Sequence, residues 1–176
     1  MVRTGSKSTI TITLDKKKLE EKIGEAIGLE MAAQKAVQEL SSRGLLPEKL
    51  QAEDKLEGMK KQANNHQTQM EDLVTKLAES KGIDPIKIQE MTQVTEQKAK
   101  IIMETYLGDN PDSQEALEFL CLAEAGEVTH YEVLSAMAKG TKNKQFSSRI
   151  KSILAEERKH LLLCTQLAKK NATASE

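Results

Sequence analysis

The stretch AEAGEVTHYEVLSAMAKG, residues 123–140, has apolar residues at helical spacing, yet Glu124 and Glu127 fall on the stripe that Leu120, Tyr131, Leu134 and Ala138 mark as the core face. Some thirty residues on, ILAEERKHLLLCTQLAK, residues 153–169, does the same with Glu157 and His160 between Ile153 and Cys164. Charged groups on a buried face are costly unless they find partners. Two helices that interrupt their stripes at mid-length are therefore predicted to meet there, in an all-α bundle with a polar layer across its middle.

Working outward, two more helices show the pattern. Residues Leu19, Ile23, Ile27, Glu30, Ala33, Val37 and Leu40 form one stripe, and Leu56, Met59, Ala63, His66, Met70, Leu73 and Leu77 form another. The boundaries follow from capping chemistry. Asp15 caps a first helix running to Arg43, where Gly44 and Pro47 stop it, and a second runs from about Ala52 to Gly82. Asp84 with Pro85 opens a third that stops at Gly108. Asn110 with Pro111 repeats that signal for a fourth reaching Gly140, and Ser147 or Ser148 is the expected cap of a fifth ending near Lys170. The third helix has a sparser stripe, Ile88, Met91, Val94 and Ile102, with no acidic or histidine interruption.

Short connections make successive helices antiparallel, so the first pair and the last pair are hairpins and the third helix returns the chain between them. In an antiparallel hairpin, residues at one level are equidistant from the turn. Glu30 and His66 each lie 18 positions from residue 48, the middle of the first turn. Glu124 with His160, and Glu127 with Glu157, are symmetric about residue 142, beside the second turn. All six therefore share one layer. Four buried carboxylates need neutralising, and two divalent cations with two neutral imidazoles would balance them. Mixed carboxylate and imidazole ligation suits iron, manganese or zinc.

At these positions the chain resembles the ferritin-like di-iron carboxylate superfamily, and most closely a small bacterial, stress-linked ferritin-like family of unclear activity. The likeness rests on residues 116–168 with the two segments quoted above, and more weakly on NNHQTQMEDLVTKLAESKG, residues 64–82. It implies a four-helix core plus a return helix spanning residues 15–172, and a bridged pair of metal ions, iron first. The implied metal ligands are Glu30, His66, Glu124, Glu127, Glu157 and His160. Dioxygen or peroxide is the implied small-molecule substrate, in an oxidase, peroxidase or iron-handling role. The family pattern places Glu three residues before the histidine of the second helix, where this chain has Ala63.

Several residues keep two readings. His130 also follows Glu127 by three but lies at the stripe's edge, as a surface residue or one standing behind the ligands. Tyr131 is a donor to the site or a core tyrosine with a satisfied hydroxyl. Cys121 and Cys164 are a redox pair or small core residues. Gly126, Gly24 and Gly28 either open space or allow close helix packing. The polar layer itself has a metal-free alternative, a structural network that fixes register in a dimer-forming bundle.

Composition narrows the rest. The 176 residues are 38% hydrophobic and 30% charged, enough for one core, and 26 basic against 27 acidic residues are mixed along the chain. That argues against nucleic acid as partner. No window approaches the roughly 20 apolar residues of a membrane span, and the first residues have no apolar leader, so a cytoplasmic location is expected. In residues 1–14, Ile10, Ile12 and Leu14 alternate with Thr9, Thr11 and Thr13, which predicts a short β-strand that pairs with a second copy in a homodimer.

Overall fold

The computed structural model describes residues 15–174, and the expected strand at residues 9–14 lies outside that range. Five helices follow in order: α1 (Lys16–Ser42), α2 (Ala52–Lys81), α3 (Pro85–Leu107), α4 (Ser113–Gly140) and α5 (Lys144–Thr173). Among the described residues there is no strand. No described helix is long and apolar enough to cross a membrane.

Three of the five start signals act as read. Asp15 accepts from Lys18 N at 3.1 Å, Asp84 accepts from Ile86 N at 3.0 Å ahead of Pro85, and α2 starts at Ala52 after a one-turn 3-10 segment, Glu48–Leu50. The other two starts need correction. Helix α4 begins at Ser113, not at Pro111, because Asp112 and Glu115 form a reciprocal capping box, each side chain accepting from the other's backbone N–H at 2.8 and 3.0 Å. Two satisfied donors outweigh the preference of proline for a first turn. Helix α5 begins four residues before Ser148, because Asn143 accepts from Phe146 N at 3.0 Å and so draws Phe146 into the core, fully buried. Ser147 instead donates back to Ala138 O at 3.0 Å, tying the two helices of the second hairpin together.

Antiparallel contacts join α1 to α2, with Gln34 bonded to Gln67 and Asn64, and α4 to α5, where Arg158 donates to Glu132 and Asn171 to Gln114. Helices α2 and α5 also run antiparallel, with Arg149 Nη1 donating to Gln69 Oε1 at one level and Cys164 donating to Met59 Sδ at another. Helices α2 and α4 therefore point the same way. Two apolar clusters fill the bundle on either side of the central layer. One contains Ile23, Ile27, Met70, Leu77, Leu134, Phe146 and Ile150, and the other Val37, Leu40, Leu56, Leu117, Leu120 and Leu167.

Helix α3 follows its expected stripe only at its start, where Ile88 is buried and Met91 half-buried against Gly24. Val94 and Ile102 are 45% and 54% exposed, and the buried residues are Ile88, Thr92, Thr95, Met103 and Leu107. The reason is a seam of small residues. Helix α3 lies parallel to α1 at a constant offset of 64 positions: Glu20 accepts from Asp84 N, Gly24 faces Ile88 O, and Gly28 faces Thr92 O. A Cβ on Gly24 would stand 2.6 Å from Ile88 O, and one on Gly28 2.6 Å from Thr92 O and 2.8 Å from Thr95 Cβ. The glycines make so close an approach possible, with Met91 Cβ 2.7 Å from where a Cβ on Gly24 would stand, and Thr92 satisfies its hydroxyl internally on Ile88 O.

Gly126 is different, because a Cβ there meets nothing within 4 Å. Gly28→Ala and Gly24→Ala are each expected to cost about 1–3 kcal/mol by overpacking, whereas Gly126→Ala should gain up to about 1 kcal/mol of helix propensity. Urea unfolding of the three variants checks this. A neutral Gly28→Ala would contradict the close α1–α3 seam.

Candidate metal centre

The helix register delivers the six acidic and histidine side chains to one level between the two apolar clusters. Each is at most 4% exposed: Glu30, His66 and Glu157 0%, Glu124 1%, Glu127 2% and His160 4%. At the centre is the Glu157 carboxylate. Its Oε1 is 2.7 Å from His66 Nδ1 and its Oε2 3.2 Å from His160 Nδ1, so one residue of α5 faces both imidazoles. Glu30 Oε1 approaches His66 Nδ1 to 3.3 Å, and Glu124 Oε2 approaches His160 Nδ1 to 3.8 Å. Two sets result, Glu30–His66–Glu157 and Glu124–Glu157–His160, each with its ligand atoms within 4.8 Å of one another. The two rings stack at 5.9 Å.

What turns both histidines inward through Nδ1 is a crosswise arrangement between α2 and α5. His66 Nε2 donates to Glu156 Oε2 at 2.7 Å, and His160 Nε2 donates to Gln62 Oε1 at 2.7 Å. Each histidine is thus oriented by the residue four positions before the other one. With the outer nitrogen carrying the proton, the Nδ1 lone pair is left for the interior, which is how outer partners fix the tautomer of a metal-binding histidine. Tyr131, fully buried, donates from its hydroxyl to Glu30 Oε1 at 2.7 Å and holds that carboxylate in place.

The layer's electrostatics are those of a site built for positive charge. Burial drives the Glu124 and Glu127 carboxyls well above their usual range, with mutual repulsion and that of Glu157 and Glu30 adding to it. Glu30 rises to about 7, burial outweighing the nearby His66 imidazole. Glu157 goes the other way: burial would raise it, but its contacts with His160 and His66 hold it low. Burial would lower His66, yet Glu157, Glu30 and Glu156 together raise it to about 11.

Even so, among the described residues Glu30 Oε2, His66 Nδ1, Glu124 Oε2 and Glu157 Oε1 find no hydrogen-bond partner. The 2.7 Å approach of His66 Nδ1 to Glu157 Oε1 lacks the geometry of an N–H···O bond. A buried polar atom left this way costs about 1–3 kcal/mol. These atoms, three carboxylate oxygens and one imidazole nitrogen, belong to residues of the two sets: Glu30, His66 and Glu157 to one, Glu124 and Glu157 to the other. Such carboxylate and imidazole donors fit divalent transition-metal ions.

Five of the six expected ligands come together in the two sets. Glu127 is buried next to them and interacts with Glu157 and Glu124 but belongs to neither set. His130 stands apart: it is half-buried, its Nδ1 donates to Gly126 O at 2.9 Å, and its Nε2 faces Glu25 of α1 at 3.4 Å. Cys164 is buried against Met59 Sδ at 3.8 Å, and Cys121 is half-buried with its thiol free. Gln62 and Glu156 are the residues that sequence patterning overlooked. Their signal was the spacing of four before each histidine, on a flank that reads as ordinary surface.

No family model matches the chain, and no curated protein or solved structure matches it. The site therefore has to be judged on its own chemistry.

One consequence is a stability that depends on pH in an unusual direction. Groups whose pKa is raised on folding stabilise the folded state below their unfolded value and lose that contribution as pH rises through the folded one. For Glu30 the window runs from 4.5 to about 7, worth about 3 kcal/mol at 1.4 kcal/mol per unit. Glu124 and Glu127 act in the same sense. Glu157 acts oppositely, and only as pH falls below 4.5. In chelator, the melting temperature should fall between pH 5 and pH 8.5 by roughly 5–10 °C, and Glu124→Gln should flatten the slope. A profile that rises over this range would contradict the buried protonated carboxyls.

Proposed function

We propose that this layer is a carboxylate-bridged two-metal centre, with iron as the leading metal and manganese or zinc as alternatives, in a ferritin-like bundle whose reaction is with dioxygen or peroxide. The carrying observation is Glu157, whose two oxygens face His66 and His160 at 2.7 and 3.2 Å with buried unpartnered donors on both sides. The two antiparallel hairpins, the parallel α2 and α4, and the return helix packed along α1 support the ferritin-like reading.

A pair of ferrous ions held there would supply the two electrons that reduce an O–O bond. The protein's share is placement and exclusion. Glu157 would be shared between the two ions, Glu30 and Glu124 would each hold one, and the imidazoles are oriented by Glu156 and Gln62. Glu127 adds the fourth carboxylate charge that two divalent ions require. The Tyr131 hydroxyl donates its proton to Glu30 Oε1 across an oxygen–oxygen distance of 2.7 Å. The apolar clusters above and below keep bulk water out. Glu30, Glu124 and Glu127 must release protons as metal enters, so apparent affinity should rise with pH.

Ala63 favours a second reading. It is 3% exposed at the position where the family pattern has a glutamate, and His66 lies within ion-pair distance of three carboxylates, Glu30, Glu156 and Glu157. A bundle that has lost its metals and works as a structural, dimer-forming protein fits those two facts.

Anaerobic Fe(II) addition followed by air separates the readings. Oxygen uptake and a near-ultraviolet ferric band should appear faster than in protein-free buffer, and Glu157→Ala should abolish both while keeping helical circular dichroism. A ferric band unchanged in Glu157→Ala would sink the assignment.

A further inference from the structure

The two halves of the layer are not equivalent, and their differences all follow from this chain's own residues. Glu124, Glu157 and His160 come from a single hairpin, α4–α5, and Glu127 of that hairpin is buried beside them. The other set draws Glu30 from α1 and His66 from α2 and borrows Glu157 from α5. A set of ligands carried on one rigid hairpin needs less ordering to close around an ion than one spread over three helices.

Nearby charge points the same way. Each set has one carboxylate of its own, Glu124 or Glu30, beside the shared Glu157, but Glu127 is buried next to the hairpin set and interacts most strongly with its Glu124. One oxygen of Glu30 is already engaged by Tyr131. On α2, the buried Ala63 stands one turn before His66, where a carboxylate would have filled out that position.

One feature opposes this order. The carboxylate of Glu156 behind His66 makes that imidazole the stronger donor, since Gln62 behind His160 is neutral. Outer partners of this kind are typically worth 10–100-fold in metal affinity. The extra buried charge of Glu127 beside the hairpin set acts in a desolvated site, and it adds to the ordering of that set on one hairpin. Glu156 has a second consequence. Its side chain is 36% exposed and touches His66 Nε2, so it joins this position, and not the other, to solvent through a carboxylate.

Resting on the reading of the layer as a two-metal centre, we propose that its two positions differ in role: the Glu124–Glu157–His160 position holds a resident ion, and the Glu30–His66 position takes up and releases a divalent transition-metal ion as substrate by way of Glu156. The second ion enters a layer already charged and ordered by the first.

Anaerobic titration of the full chain with Mn(II), followed by electron paramagnetic resonance and by competition with a chelator, tests this. The first equivalent should bind at least tenfold tighter than the second and give the hyperfine-split signal of an isolated ion. The second should replace that signal with that of a coupled pair. Glu30→Gln should remove the second phase and leave the first affinity within about twofold, whereas Glu124→Gln should weaken the first by at least tenfold. His66→Ala and His160→Ala repeat the contrast, so a single misfolded variant does not decide it. Glu156→Gln should slow exchange of the second ion severalfold with the first unaffected.

Coupled signal from the first addition, or equal losses in Glu30→Gln and Glu124→Gln, would overturn the proposed inequality while leaving the two-metal centre standing. No Mn(II) binding by the folded wild-type chain would remove both.

Discussion

One carboxylate between two imidazoles sets the terms for the rest of this bundle. Glu157 sits at the crossing of α2, α4 and α5 with His66 on one side and His160 on the other, all three nearly or fully inaccessible. A charge so placed must be matched by opposite charge, because desolvation alone costs several kcal/mol. The contacts of Glu157 with His160 and His66 hold its carboxyl low, while burial pushes those of Glu124 and Glu127 well up. That is a workable compromise with four donor atoms left unpartnered. The architecture around the layer serves to make such a compromise tolerable.

The apolar clusters do this by volume. Leucines, isoleucines, Met70 and Phe146 fill the space on both sides of the layer, so the layer's polar cost is spread over a long, well-packed bundle. The α1–α3 seam does it by geometry. Gly24 and Gly28 let α3 lie against the outer side of α1, which leaves the inner side of α1, with Glu30 at mid-length, to face the site. The crosswise pairs Glu156–His66 and Gln62–His160 then lock α2 against α5 at the same height. Register, ring orientation and burial are consequences of the same few contacts, which is why the polar residues are so closely placed.

Much of this was legible in the sequence because it rests on periodicity and capping. Interrupted apolar stripes located all four contributing helices, and equal distances from the hairpin turns placed Glu30 opposite His66 and Glu124 opposite His160. Local chemistry misled where two signals competed. Asn110–Pro111 and Ser147 are plausible caps, but Asp112 with Glu115 and Asn143 with Phe146 satisfy more donors and bury more surface. The α3 stripe was misread because Thr92 and Thr95 are polar by type, and only the glycines across from them show that their side of the helix is the buried one. His130 illustrates the limit of spacing: it repeats Glu-x-x-His but points to Glu25 instead of the layer. Gln62 and Glu156 were invisible as site residues because their role depends on a neighbouring helix and not on their own.

The claim that the layer is a metal centre is tested most directly by counting ions. Untagged protein, dialysed to equilibrium against ferrous iron without oxygen and analysed by elemental mass spectrometry at fixed free metal, should approach two ions per chain. Folded protein that carries essentially none under the same conditions would show that the carboxylates and histidines are a structural network, and the metal account would be wrong.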